Sequence, residues 1–136
     1  AALQIARLRG ARVIATAGQP EKRDLLRDLG VDFVFDSRGQ SFADEVMAAT
    51  GGRGVDVVLN SLAGEAMERS LRCLKPFGRF VELGKVDFFT DTRLGLRPFS
   101  RNLSYFGVDA DQLLTGRPEL ASALFVEISA LLKMGG

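Results

Sequence analysis

The sequence predicts an α/β fold built on a doubly wound parallel sheet. Two observations support this prediction. Short apolar runs rich in Val, Ile and Phe alternate along the chain with stretches whose apolar residues recur at helical spacing. The chain has 136 residues, 46% of them hydrophobic, which suits one domain with a core of its own. Regular alternation of strand and helix is typical of βαβ units.

The alternation predicts five strands and five helices. The strands are expected at 12–16, 32–36, 55–60, 80–83 and 103–108. The helices are expected at 1–9, 21–29, 41–50, 64–74 and 118–133. Polar residues at 37–40 predict a loop, residues 76–78 predict a turn, and residues 86–100 lack either periodicity and also predict a loop.

Boundary residues support several of these elements. Gly10 and Gly30 follow the first two helices, where glycine commonly ends a helix. Pro20 stands at the start of the second helix, and residues 41–44 resemble a capping box before the third, with Phe42 as a buried anchor. Gly135 and Gly136 are expected to stop the last helix.

Composition excludes several classes of function. The chain carries 18 basic and 17 acidic residues, and a net charge of +1 provides no basic field for nucleic acid and no polybasic membrane patch. No apolar run approaches the ~20 residues that a membrane span needs, and no signal peptide is recognisable. We therefore expect neither a nucleic acid nor a membrane as a partner.

Cysteine and histidine usage narrows the chemistry further. The single cysteine, Cys73, excludes an intramolecular disulfide and fits a reducing, cytoplasmic compartment, and its helical position predicts a core residue. The chain has no histidine, which removes Ser-His and Cys-His nucleophile pairs and histidine metal sites. We expect no metal site.

Polar residues follow two of the predicted strands. Asn60, Ser61 and Leu62 end the strand at 55–60, and Gly84 and Lys85 follow the strand at 80–83. Ligands bind outside the carboxyl ends of parallel strands, so these residues are predicted to face one crevice. A glycine lets a ligand approach the backbone closely, and Lys85 adds a cation beside it. Alternatively, the Asn-Ser pair forms a simple turn and Lys85 is an ordinary surface lysine.

The end of the second strand of a dinucleotide fold meets the adenosine ribose. An acidic residue there favours a 2′-hydroxyl, whereas a basic one favours a 2′-phosphate. If the strand at 12–16 is the second strand of such a fold, Thr16 and Gly18 end it without an acid. Lys22 and Arg23 follow on the next helix, and Arg38 follows the strand at 32–36, which would be the third. This arrangement predicts NADP rather than NAD, unless the two helical cations are simply solvated.

The glycine-rich phosphate loop of such folds is absent from these residues. If residues 1–9 form the helix after that loop, the first strand precedes it and belongs in the middle of the sheet. Its absence would leave two strand edges unpaired, and a buried unpaired backbone group costs about 1–3 kcal/mol. We therefore expect residues 1–136 to be a fragment of a larger protein, unless the sheet simply begins with Val13 at its edge.

Two segments carry a family resemblance. VDVVLNSLAGEAMERSLRCLKPFGRFVELGK (55–85) and RNLSYFGVD (101–109) resemble the enoylreductase domain of type I polyketide synthases, in the medium-chain dehydrogenase/reductase superfamily. The enoylreductase domain of animal fatty acid synthase is similar but more distant. The resemblance covers essentially the whole chain and implies a Rossmann-like NADP-binding domain.

The resemblance also implies an activity and partners. It implies a zinc-free, NADPH-dependent reductase of an α,β-unsaturated thioester carried on an acyl carrier protein. Hydride would go to the β-carbon and a proton to the α-carbon. The other domains of a type I megasynthase would be partners, and RNLSYFGVD could be an edge strand through which the domain forms a homodimer.

Residue roles follow by position in the family's motifs. Lys85 and Asp111 match the pair proposed to deliver the proton, and Lys22 and Arg38 match the residues near the 2′-phosphate. The implied cofactor-binding residues are Thr16, Gly18, Lys22, Arg38, Asn60, Ser61, Leu62, Leu83, Gly84 and Val108. The residues themselves leave another role open for Asp111, as the N-cap of a following helix, and Asp109 competes for that role.

This chain departs from the family in two respects. The phosphate loop is missing, and so is the substrate-binding domain with a tyrosine proposed as a proton donor in some members. Tyr105 lies within a predicted strand and does not match that tyrosine. We therefore expect the isolated chain to be inactive. The alternatives are a free-standing, zinc-independent quinone or alkenal reductase, and a non-catalytic nucleotide-binding or packing module.

Overall fold

The structure, a computed structural model, describes residues 2–39 and 41–134. They form two compact units, one made of residues from 1–36 and 110–136 and the other of residues from 37–109. Ala1, Gln40, Gly135 and Gly136 lie outside the described residues, and with them the predicted start of the first helix, part of the loop at 37–40 and the glycine stop of the last helix.

The first unit contains two strands and four helices. These are α1 (Ala2–Leu8), β1 (Ile14–Ala17), α2 (Pro20–Asp28), β2 (Phe33–Asp36), α6 (Ala110–Gly116) and α7 (Pro118–Met134). Glycines end the first two helices, as predicted. The amide of Gly10 donates to the Arg7 carbonyl and that of Gly30 to the Arg27 carbonyl, each at 2.9 Å.

The second unit contains three strands. Its elements are α3 (Phe42–Ala49), β3 (Val55–Asn60), α4 (Glu65–Arg72), β4 (Leu74–Glu82), α5 (Val86–Phe89), a 3₁₀ helix (Arg97–Arg101) and β5 (Ser104–Gly107). The predicted loop at 86–100 thus holds a short α-helix and most of a 3₁₀ helix. Both are too short to display the apolar periodicity on which the prediction depended.

Every strand pair is parallel, which confirms the predicted α/β fold with parallel strands. In the first unit β1 pairs with β2, placing Ile14 beside Phe33. In the second unit the order is β3-β4-β5, with Phe80 of β4 between Val58 and Tyr105. Among the described residues no ladder joins the two sheets. Two separate sheets agree with a missing central strand, which stays a prediction.

The start of β4 differs from the prediction. The strand begins at Leu74 rather than at residue 80, and the helix expected at 64–74 ends at Arg72. Leu74 pairs with Val55 before the bend at 76–78, where Phe77 has a φ of 66°, and the ladder then resumes with Arg79 beside Val57. The predicted turn is therefore a local irregularity inside a longer strand.

The capping box predicted at the start of α3 is wrong. The Ser41 side chain makes no cap to the backbone there, and its hydroxyl instead donates to the Glu45 carboxylate, one helical turn further on, at 2.8 Å. Of the two candidates left open for the N-cap of α6, Asp109 directly precedes the helix, which begins at Ala110, and Asp111 lies inside its first turn.

The core of the second unit lies between α4 and the sheet. Met67, Leu71, Leu74 and Phe80 are each at most 1% exposed and pack together. The Phe80 ring stacks on Tyr105 of β5, with centroids 5.4 Å apart. The expected buried positions at Phe42 and Cys73 are confirmed, and Val46, one turn after Phe42, is buried as well.

Arg101 fastens the 3₁₀ helix to this core. Its guanidinium donates to the Leu74 carbonyl at 3.0 Å and to the Leu71 carbonyl at 3.4 Å. These carbonyls lie at the C-terminal end of α4 and the start of β4, where the helix leaves acceptors without partners. The arginine thus provides hydrogen-bond donors to the carbonyls at the turn between α4 and β4.

Candidate functional site

The carboxyl ends of the three strands of the second unit are held level with one another. The Leu83 amide donates to the Asn60 carbonyl at 2.8 Å, and the Val108 amide donates to the Glu82 carbonyl at 2.9 Å. Each bond extends a parallel ladder by one step beyond its strand. The residues predicted to line a crevice after β3, β4 and β5 are therefore neighbours in space.

Five of the predicted cofactor-binding residues at this edge remain accessible. Ser61 and Leu83 are exposed, and Leu62, Gly84 and Val108 are half-buried. The edge thus offers backbone groups, one hydroxyl and three aliphatic side chains to a ligand.

Asn60 is buried and hydrogen-bonded within the protein, and its predicted place beside the cofactor stays a prediction. It is only 4% exposed, and its amide nitrogen donates to the Leu62 carbonyl and to Glu82 Oε2, each at 2.7 Å. Its amide oxygen accepts the Leu62 amide at 3.2 Å. Both donor hydrogens and one acceptor site are used within the protein. Asn60 therefore shapes the turn at 60–62 from beneath, and Ser61 and Leu62 form its outer side.

Glu82 is the buried partner of Asn60. It is 1% exposed, and its second oxygen, Oε1, accepts the Gly84 amide at 2.8 Å. Both carboxylate oxygens thus accept hydrogen bonds from neutral donors. A single buried acid connects the turn after β3 with the turn after β4.

Gly84 lies where two backbone segments approach each other closely. A Cβ atom at this position would stand 2.9 Å from Glu82 Oε1 and 3.0 Å from the Ser61 carbonyl oxygen. Both distances are shorter than a comfortable contact, so a larger residue would push the two turns apart. The expected use of glycine for close approach applies here to the protein's own backbone.

Lys85 forms an ion pair with the end of β5. Its Nζ lies 3.4 Å from Asp109 Oδ1, and the two side chains are 42% and 21% exposed. Asp109 immediately follows the accessible Val108 and is in the same unit as Lys85. Asp111, the predicted partner, lies in the first turn of α6, which belongs to the other unit. One ion pair of Lys85 is therefore with Asp109, at the end of the neighbouring strand.

Asp87 ties the turn after β3 to the segment after Lys85. It is 9% exposed and accepts the Gly64 amide at 3.2 Å and the Thr92 hydroxyl at 2.7 Å. Gly64 is the residue that leads into α4. The loop at 61–64 is thus held from Glu82 through Asn60 at one end and from Asp87 at the other.

The two buried carboxylates also act on Tyr105. Burial raises the pKa of this phenol, and the negative charges of Glu82 and Asp87 raise it further. Tyr105 is half-buried and stacks on Phe80. The phenol therefore stays neutral at physiological pH. Among the described residues, Tyr105 packs against the buried core of the second unit.

The residues predicted near a 2′-phosphate are divided between the units. Thr16 is exposed, Gly18 is half-buried, and Lys22 is exposed in the first turn of α2. Arg23 donates to the Ala17 carbonyl at 3.0 Å and lies 3.3 Å from Asp36 Oδ1. It therefore holds β1 and β2 together, which leaves Lys22 as the outward cation of the pair.

Arg38 follows β2 in the sequence and is exposed in the second unit.

The described part of the chain contains neither a metal-binding cluster nor a membrane-spanning helix. No group of three or more Cys, Asp or Glu side chains is arranged to hold a metal ion. No helix there combines the length and the apolar character that crossing a bilayer requires.

Comparison with known proteins decides the family. A family model described as zinc-binding dehydrogenase matches residues 1–120. A solved structure titled "Putative enoyl reductase domain of polyketide synthase" is 45% identical, has a TM-score of 0.88, and is matched over 98% of this chain and 73% of that one. The chain belongs to the enoyl reductase domains of polyketide synthases.

Other enoyl reductases agree with this assignment. The nucleotide-binding subdomain of the enoylreductase domain of PpsC from Mycobacterium tuberculosis is 46% identical with a TM-score of 0.90, over 98% of this chain and 75% of that chain. The enoyl reductase of CurK is 39% identical with a TM-score of 0.84, over 98% of this chain and 40% of that chain. The predicted family and the Rossmann-like fold of its nucleotide-binding subdomain are confirmed.

Curated relatives are whole synthases. Phthioceranic/hydroxyphthioceranic acid synthase of Mycobacterium tuberculosis is 52% identical over 119 residues, which are 88% of this chain and 6% of that protein. A mycocerosic acid synthase-like polyketide synthase of Mycolicibacterium smegmatis is 46% identical over 135 residues, 99% of this chain and 6% of that protein. The chain thus spans about 6% of the length of the curated relatives that it matches.

The sequence prediction missed three residues of this enoyl reductase edge: Glu82, Asp87 and Asp109. Glu82 did carry a detectable signal, since an acid inside the apolar run FVEL is unusual for a buried strand. Asp87 lay in a segment expected to be a loop. Asp109 was considered only as a helix cap.

Proposed function

We propose that this chain is the nucleotide-binding part of an enoyl reductase that uses NADPH to reduce α,β-enoyl thioesters carried on an acyl carrier protein. The observation that carries the proposal is the Lys85–Asp109 ion pair at the adjoining ends of β4 and β5. It provides a cation where a parallel sheet receives its ligands, in a chain that belongs to the polyketide synthase enoyl reductases.

The strand ends fit a nicotinamide cofactor. The close approach of Gly84 to Ser61 leaves no side chain between the two turns, so their backbone groups are available to a flat ring. Ser61, Leu62, Leu83, Gly84 and Val108 would line it. The bound NADPH supplies the hydride that adds to the β-carbon of the enoyl thioester.

Lys85 acts on the other half of the reaction. Addition of hydride to the β-carbon places negative charge on the thioester enolate. The ammonium group stabilises that charge or delivers the proton to the α-carbon. Asp109 holds the ammonium in place. Lys85 and Asp109 are thus the proposed catalytic and positioning residues, and Asp111 stays a prediction for the second role.

Preference for NADPH would come from cations outside the strand ends. Lys22 is exposed in the first turn of α2, and Arg38 is exposed beyond β2. The chain has no acidic side chain at Thr16 to Gly18, where β1 ends. An acid there would repel a 2′-phosphate. We propose a role in binding the 2′-phosphate for Lys22 in the first unit, with Thr16 and Gly18 beside the ribose, and separately for Arg38 in the second unit.

The remaining parts of the reductase belong to the rest of the synthase. The chain spans about 6% of its curated relatives, which supports a central strand and a glycine-rich phosphate loop supplied by other residues of the same polypeptide. We propose that a substrate-binding domain completes the site, that the neighbouring synthase domains are its partners in the cytoplasm, and that the edge strand β5 forms a homodimer.

The test uses the complete enoyl reductase domain with its substrate-binding part. NADPH oxidation is followed with a carrier-bound enoyl thioester and, in parallel, with a small quinone. We expect turnover with the thioester and NADPH, and a fall of about 10²–10⁴-fold in kcat for Lys85→Ala. Preferred turnover of the quinone would overturn the substrate proposal, and an active Lys85→Ala variant would remove the lysine from the mechanism.

Cofactor selectivity needs a separate measurement. NADPH and NADH are titrated by fluorescence into the complete domain, its Lys22→Ala and Arg38→Ala variants, and an Arg12→Ala control whose guanidinium lies over the Phe33 ring. We expect weaker NADPH binding and unchanged NADH binding for the first two variants only. Equal affinity of the wild type for both cofactors would rule out the 2′-phosphate site.

A further inference from the structure

Glu82 stands out as a buried acid for which the proposed chemistry has no direct use. It is 1% exposed, so it touches neither solvent nor a ligand in the crevice. Burial of a carboxylate is unfavourable unless hydrogen bonds compensate for the lost water. Such a group in a central strand therefore indicates a specific arrangement that its hydrogen bonds maintain.

The hydrogen bonds of Glu82 form a short relay. Oε2 accepts Asn60 Nδ2 at 2.7 Å, and the same nitrogen donates to the Leu62 carbonyl at 2.7 Å. Oε1 accepts the Gly84 amide at 2.8 Å. One side chain of β4 thus fixes the turn after β3 on one side and the residue before Lys85 on the other.

A carboxylate is the only standard side chain of this length that fits both partners. Asn60 and Gly84 each present an N–H group, so the residue between them must offer two acceptors and no donor. Glutamine has the same shape but carries an NH₂ group, which would face one of the two donors. The chemistry of the relay therefore depends on acceptor count and not on volume.

We propose that Glu82 is a positioning residue for hydride transfer, which acts through Asn60 and Gly84 to hold the two turns that flank the nicotinamide at one separation. The inference rests on the proposed function and adds a residue that the sequence prediction did not include. Glu82 does not touch the reactants. Its removal should alter the geometry of the bound ring more than the binding of the rest of the cofactor.

The test compares Glu82→Gln with Asp56→Asn in the complete enoyl reductase domain. Asp56 lies on β3, its side chain is 76% exposed, and its Oδ2 lies 3.5 Å from Lys75 Nζ at the surface. We expect Glu82→Gln to lower kcat by about 10²-fold, as a misplacement on the order of 1 Å does, with KM for NADPH changed far less. Asp56→Asn should match the wild type.

A second variant separates positioning from folding. Asn60→Ala removes the middle of the relay, so we expect the same kcat-selective loss and, in the double variant, a combined loss well below the product of the two. Independent, multiplicative losses would overturn the proposal, as would wild-type kcat in Glu82→Gln. If Glu82→Gln does not fold, a normal kcat in Asn60→Ala overturns it as well.

Two further readouts do not depend on turnover. We expect Glu82→Gln to speed hydrogen exchange at the Gly84 amide and to change the emission of bound NADPH, and Asp56→Asn to do neither. If the wild-type domain binds NADPH without reducing the enoyl thioester, the proposed function fails while these readouts still judge the positioning role. Unchanged exchange and emission in Glu82→Gln would overturn that role.

Discussion

Lys85 and Asp109 join the ends of β4 and β5 through an ion pair of 3.4 Å between Nζ and Oδ1. The two residues are 24 positions apart in number, and parallel pairing of their strands is what brings them together. Both side chains are partly exposed, so the pair contributes little to stability. Its value lies in where it places an ammonium group.

We expect Asp109→Asn to lower kcat of the complete enoyl reductase about tenfold, which corresponds to losing about 1.4 kcal/mol of transition-state stabilisation. The amide keeps the shape but no longer holds the ammonium by charge. The measurement is steady-state NADPH oxidation with a carrier-bound enoyl thioester. Asp56→Asn is the matched control, with an expected kcat near that of the wild type, since its side chain is 76% exposed and pairs with Lys75. A larger loss in Asp111→Asn would restore the pair that the resemblance implied.

Arg101→Ala should destabilise the protein by about 1–3 kcal/mol, because the part-buried carbonyls of Leu74 and Leu71 each lose the guanidinium as a donor. Arg97 lies in the same 3₁₀ helix and is exposed, so Arg97→Ala should change the free energy of unfolding by no more than about 0.5 kcal/mol. Urea denaturation of both variants makes the comparison. Equal losses of unfolding free energy in the two variants would show that the Arg101 hydrogen bonds to the Leu71 and Leu74 carbonyls add no stability.

Cys73 should make stability depend on pH in the alkaline range. Burial, aided by the charge of Asp44, raises the pKa of its thiol from 9.0 to about 11. The unfolded thiol therefore ionises first. The neutral thiol therefore favours the folded state fully below pH 9. Above pH 9 the free energy of unfolding falls as the pH rises towards 11, by about 2–3 kcal/mol in all.

Cys73→Ala isolates this effect, since it removes the thiol and leaves the other alkaline groups. The free energy of unfolding is measured for both proteins from pH 8 to 11 by denaturant titration, and we expect the difference between them to shrink as the pH rises above about 9. A difference that stays constant with pH would contradict the assignment.

Gly54→Ala should be much more damaging than Gly51→Ala. Both glycines have positive φ angles, of 86° and 62°. A Cβ atom at Gly54 would lie 2.4 Å from the Cys73 carbonyl oxygen, whereas nothing lies within 4 Å of one at Gly51. We expect about 1 kcal/mol of backbone strain for Gly51→Ala and several times that for Gly54→Ala. Similar melting temperatures would mean that the chain near Cys73 yields easily.

Local sequence patterns predict most of the fold, because each helix or strand carries its signal within a few consecutive residues. The strands at 32–36 and 55–60 and the helix at 118–133 were predicted within one or two residues of their ends. Each combines a clear apolar period with a flanking glycine, proline or polar turn. The start of β4 was missed because a Pro-Phe-Gly sequence resembles a turn, while pairing with β3 keeps those residues in the strand.

The site was predicted only in part because its hydrogen bonds connect residues far apart in sequence. Glu82 and Asn60 are neighbours through strand pairing, and neither the acid nor the amide reveals its partner locally. Strand ends could be placed, so the crevice residues were found. Which carboxylate faces Lys85 depends on where a helix begins, and element boundaries are the least certain part of sequence interpretation.

The outer edge of β3 has a practical consequence for handling the protein. Among the described strands β3 pairs with β4 alone, and Val57 and Leu59 are 48% and 55% exposed along it. Open backbone groups beside apolar side chains form a template for pairing with a strand of another molecule. Preparations of residues 1–136 on their own are therefore prone to self-association, and light scattering at increasing concentration will report how well that edge is covered.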